Sequence, residues 1–80
     1  MLDYYSNFPP PSRENAIEEV IKECKTKHTI PSNVDEKVLR DTATKVVTEM
    51  PSLGSYTGWY VGFRGDAIKM VLDKLNNLLP

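Results

Sequence analysis

Cys24 and His28 stand four residues apart, the spacing that places a thiol and an imidazole on one side of a continued helix. Such a pair could act as a nucleophile and its base, or as half of a metal site. Neither use is complete, because the chain has one cysteine and one histidine. Further ligands would have to come from carboxylates that already read as ordinary surface charge. Cys24 is therefore expected in the core, and His28 at a helix end beside terminal carbonyls. No paired carboxylates, metal cluster or complete cofactor loop appears at a usable spacing, so neither a metal nor a cofactor is expected and the chain reads as noncatalytic.

The run Gly62, Phe63, Arg64, Gly65, Asp66 sets glycines and a base before an expected helix start, where free backbone amides attract anions. It lacks the spacing of a phosphate-binding loop, and Asp66 would repel a phosphate there. Arg64, Gly65 and Asp66 also spell the Arg-Gly-Asp tripeptide, similar to the adhesion sequence that integrins read on exposed loops. The match is three residues long, and helix capping gives Asp66 a sufficient role. Phe8, Pro9, Pro10 and Pro11 resemble the start of the proline-rich ligands of EVH1-class domains, although a further proline is missing. The plainer reading is a stiff arm, residues 1–11, from which Tyr4, Tyr5 and Phe8 dock at low entropic cost.

The aromatic residues carry more weight. Tyr4, Tyr5 and Phe8 form one run and Tyr56, Trp59, Tyr60 and Phe63 a second, all outside the three helix-patterned stretches. Aromatic side chains contribute the largest contact area per residue. With Arg64 beside them they make up the residue types that dominate binding hot spots. The expected contact surface centres on Trp59, Tyr60 and Phe63, with Tyr4, Tyr5, Phe8, Tyr56 and Arg64 at its margins. The competing reading is that these rings cap the core of a small monomer.

Three helices must position these groups. Ser12 is placed to cap a helix over 13–27, whose Ala16, Ile17, Val20, Ile21 and Cys24 recur at spacings of three and four. Pro31 ends it, and Ser32 or Asn33 can cap a second helix over 33–50, with Asp35 or Glu36 completing a capping box. Val34, Val38, Leu39, Thr42, Ala43, Val46, Val47 and Met50 share its inward side, and Pro51 ends it. A third helix over 66–79 is expected to start at an Asp66 cap and to bury Ala67, Ile68, Val71, Leu72, Leu75, Leu78 and Leu79.

Between the last two helices, residues 52–65 hold all four glycines. Glycine in a helix interior costs about 1 kcal/mol relative to alanine. Thr57, Trp59, Val61 and Phe63 alternate as on one face of a strand, so an extended or irregular segment is favoured. The expected fold is mainly α: a compact three-helix bundle in a single domain over 1–80. The alternative is an α+β arrangement with a minor two-stranded pairing.

Composition narrows the function further. Eighty residues with 40% hydrophobic and 26% charged side chains match a small globular domain with little core to spare. A net charge of -1 supplies no broad attraction to nucleic acid or anionic lipid. A single cysteine excludes an intrachain disulfide and fits a reducing cytosol, and Asp3 and the prolines stand where an export signal would need basic and then apolar residues. The expected function is a small adaptor, regulator or subunit that contacts another protein, a second copy of the chain being one candidate. The alternative is a protein that stacks single-stranded nucleic acid on the Tyr56–Arg64 segment. A lone arginine in that segment tracks phosphates poorly, which disfavours it.

Overall fold

The computed structural model describes residues 9–78 and has three helical runs, with no strand among the described residues. The first, α1, spans Arg13–Lys27, and Ser12 caps it by accepting from the Asn15 amide at 3.1 Å. The second, α2, spans Glu36–Glu49. Its cap is Asp35, which accepts from the Val38 amide at 2.9 Å, rather than Ser32 or Asn33. The helix consequently starts three residues later than its apolar pattern suggests, and Val34 packs against the core from the connector.

The third run departs most from expectation. It begins at Tyr56, not Asp66: α3 (Tyr56–Gly58) leads into a π-helical turn, Trp59–Phe63, which passes directly into α4, Arg64–Asn76. Ser55 is the cap, accepting from the Gly58 amide at 3.0 Å. The extended or irregular reading holds for residues 52–55 and is overturned from Tyr56 on, and no strand pairing is present among the described residues. Strand propensity loses here because Ser55 starts a helix that the Leu-rich downstream segment can continue, and docking on the other helices outweighs the glycine cost. Asp66 lies inside a continuous helix and caps nothing.

The π turn is defined by the Arg64 amide, which donates to the Trp59 carbonyl five residues back. A π turn holds one residue more than an α turn, so it changes which side chains face inward. Counting back from Leu75, Val71, Ile68 and Ala67 at α-helical spacing, the core line would reach Arg64 and Tyr60. The extra residue moves that line to Trp59. Its indole is accordingly 0% exposed, whereas Tyr60 is 37% exposed.

The helices pack around one core: Ala16, Val20, Ile21 and Cys24 of α1, Leu39, Ala43, Val46 and Val47 of α2, and Trp59, Ala67, Ile68, Val71 and Leu75 of the third run. Met50 and Leu53 close it from the second connector. Leu78 is exposed, contrary to its expected place in the core, and Leu79 lies outside the described residues. Arg13 of α1 donates to the carbonyls of Val47 and Thr48, satisfying the end of α2 and holding the two helices antiparallel. Glu18 and Arg40 pair along the same seam at 2.5 and 3.2 Å. That contact lowers the Glu18 carboxyl and raises the Arg40 guanidinium, chiefly through the shared hydrogen bond.

Two substitutions separate the role of the indole from that of the wide turn. Trp59→Ala should cost about 3–5 kcal/mol by emptying the centre of the core, read as a lowered urea midpoint. Deleting Gly62 should instead turn the π turn into an α turn while keeping Trp59 in line with Ala67. That variant is expected to fold at least as stably as the parent, since it also loses a helical glycine worth about 1 kcal/mol; a collapsed circular-dichroism spectrum would disprove this account of the turn.

Candidate functional site

Of the expected contact residues, the third helical run brings Tyr56, Trp59, Tyr60, Phe63 and Arg64 together, while Tyr4, Tyr5 and Phe8 lie outside the described residues. These five do not form one surface. Trp59 is corrected to a core residue, because the π turn points its ring between the helices.

The remaining groups divide between two sides of the helix. On the side facing α1, Glu19 gathers the polar ends of the aromatics. It accepts from the Trp59 indole Nε1 at 3.4 Å and from the Tyr60 hydroxyl at 3.1 Å. Arg64 Nη1 lies 3.8 Å from both Glu19 Oε1 and Glu23 Oε1, and its guanidinium carbon sits 5.1 Å from the centre of the Tyr60 ring. Tyr56 and Tyr60 meet with ring centres 4.8 Å apart at a tilt of 51°. Glu19 and Glu23, one helical turn apart on α1, thus line up with Tyr60 and Arg64 on the third run, and the two helices run parallel.

The Tyr60 phenol is raised above its ordinary value by burial first, then by the hydrogen bond to Glu19 and its charge, with Tyr56 adding and Arg64 opposing. The cluster is a fastening rather than a reactive centre: its acceptor carboxylate already faces an indole, a phenol and a guanidinium. Nothing in the spacing of Glu19 marked it in advance. It lies on the edge of the α1 stripe, and only the parallel packing of α1 against the third run exposes its role.

On the opposite side, Val61 is 81% exposed and Phe63 40% exposed. Together with Gly58, Gly62 and Asp66 they outline a shallow apolar groove. A Cβ placed on Gly62 or Gly65 would meet nothing within 4 Å, so these glycines serve no contact inside the chain. Gly54 differs. Its φ of 77° is left-handed, and an added Cβ would come within 2.6 Å of the Phe63 ring, so a side chain there would be both strained and obstructed. That contact fixes Phe63 as one wall of the groove. Val61 went unrecognised in the sequence because strand alternation grouped it with Trp59, whereas the π turn sets the two on opposite sides.

The other candidate chemistries separate in space. Cys24 is fully buried and His28 is an exposed, extended residue after α1, so they do not form a thiol–base pair. Burial, with Glu23 nearby, pushes the Cys24 thiol up and keeps it protonated. No group of three or more His, Cys, Asp or Glu among the described residues is arranged to hold a metal ion. The Arg-Gly-Asp tripeptide is helical rather than looped, and its arginine is engaged by Glu19 and Glu23. The amides of the glycine run likewise lie within the helix, not at its free start. No helix among the described residues is long and apolar enough to cross a membrane. No protein-family model matches the chain, and no curated protein or solved structure does.

The fastening can be tested by titration. A raised folded-state phenol keeps its proton where the unfolded chain has begun to lose it, so this group's stabilisation is complete below about pH 10 and is lost as pH rises through the folded value. Glu19→Gln should shift the Tyr60 transition, followed by tyrosinate absorbance, toward the ordinary range. It should not abolish the shift, because burial is the larger cause.

Proposed function

We propose that the chain is a noncatalytic protein–protein interaction module, a small adaptor, regulator or subunit whose contact surface is the outer side of the third helical run. The supporting observation is the placement of Val61. A β-branched apolar side chain stands 81% exposed beside two helical glycines that no internal contact requires. In so small a domain each such glycine costs about 1 kcal/mol without a structural return. A backbone left bare beside exposed apolar groups suits close approach by another polypeptide.

This surface differs from the aromatic centre expected from sequence. Trp59 builds the helix from within, Tyr60 and Arg64 fasten it to α1 with Tyr56 packed against the Tyr60 ring, and among the described residues Phe63 is the expected aromatic that borders the groove. Stacking of single-stranded nucleic acid loses support on the same grounds, because the indole is shielded and Arg64 faces two carboxylates. Val61→Asp is the informative variant. It should leave the urea midpoint within about 0.5 kcal/mol, as for other exposed substitutions. It should also release a protein retained by the parent chain from an extract of its source; retention unchanged by the variant would refute this surface as the contact.

A further inference from the structure

We infer that the cleft between α2 and α4 is a further docking site, one that takes an acidic peptide segment of another protein with an apolar residue beside its carboxylate. The observation behind it is a difference among the three helix seams. Ion pairs cross two of them: Glu18–Arg40 and Lys25–Glu36 join α1 to α2, and Arg64 joins the third run to Glu19 and Glu23 of α1. None crosses the third among the described residues. There Lys45 of α2 and Lys74 of α4 border one cleft, both exposed, and neither makes an ion pair among the described residues.

The cleft holds about 430 Å³ and is completed by Asp41, Thr42, Asn77 and Leu78. Because α2 runs antiparallel to α1 and α4 runs parallel to it, α2 and α4 are antiparallel, which sets Lys45 near the level of Lys74 and Asp41 near that of Leu78. Asp41 is held by Lys37 of its own helix at 3.1 Å, and the Thr42 hydroxyl donates to the Val38 carbonyl at 2.8 Å. The charge that the cleft offers is therefore that of its two ammonium groups. Leu78, 58% exposed, and the hydrocarbon stems of the lysines give it an apolar border.

That combination selects the occupant. Two like charges on facing helices repel, and a carboxylate placed between them turns the repulsion into attraction on both sides. An apolar side chain next to that carboxylate covers Leu78, and the Asn77 amide can bond the peptide backbone. Nucleic acid fits poorly, because two cations beside one carboxylate supply few phosphate contacts. The site lies on the flank of α4 that faces α2, so it stands independently of the contact proposed at Val61.

Titration of the full chain with a capped peptide of alternating glutamate and leucine, followed by nuclear magnetic resonance, tests this. The same peptide with glutamine for glutamate, inorganic phosphate and a single-stranded oligonucleotide are titrated in parallel. The expected result is saturable shifts at Lys45, Lys74 and Leu78 with the acidic peptide alone, unchanged in Val61→Asp and weakened about tenfold in Lys45→Glu or Lys74→Glu. Lys45→Glu sets a carboxylate beside Lys74 and should hold or raise the urea midpoint, so its weaker binding would not come from unfolding. A titration that does not saturate, equal binding of the glutamine peptide, phosphate or oligonucleotide, or indifference to both lysine substitutions would overturn the inference. Loss of peptide binding in Val61→Asp would also overturn it, by moving the contact to the outer side of the third run.

Discussion

The burial of one indole organises this domain. Trp59 is the bulkiest side chain shielded from solvent, and it lies where the third helical run meets α1. An all-α path back from Leu75 would place a tyrosine at that position, and a buried phenol would need its own polar partner deep in the core. The five-residue turn brings in the indole instead, whose single N–H reaches the edge of the core and finds Glu19 at 3.4 Å. The hydroxyl of Tyr60, displaced outward, reaches the same carboxylate from the solvent side at 3.1 Å.

That carboxylate couples helix register to helix packing. Glu19 belongs to α1, and its donors belong to the third run, so the alignment of the two helices and the position of the wide turn constrain each other. Because Glu19 is partly exposed, its hydrogen bonds and ion pair add modestly to stability; burial of the indole's hydrophobic area contributes more. The polar contacts act mainly on geometry. They hold Tyr60 and Arg64 against α1, which leaves Val61 and Gly62 on the far side of the same helix.

Most of the bundle was legible in the residues. Ser12, the three-and-four recurrence of Ala16 to Cys24, Pro31 and Pro51 mark the first two helices, because caps and breakers act locally and an apolar stripe has a definite period. The third run was legible only from Ala67 onward. Four glycines and alternating aromatics between 52 and 65 argue locally for extended backbone, and the contrary force is tertiary: a core with room for one indole. A π turn also breaks the periodicity by which a helix is read. The aromatic cluster of this segment was therefore legible, and the burial of Trp59 within it was not.

The wide turn also explains why apolar groups remain outside so small a core. An extra residue in one helical turn cannot be absorbed inward, because the core line already has Trp59 in place. The surplus emerges on the outer face as Val61 and Gly62, with Phe63 held over Gly54 at its edge. Were stability the only constraint, a regular α turn without the surplus residue would keep the same core and expose less apolar surface. Retaining the turn therefore costs the isolated domain some exposed apolar surface that the burial of the indole offsets.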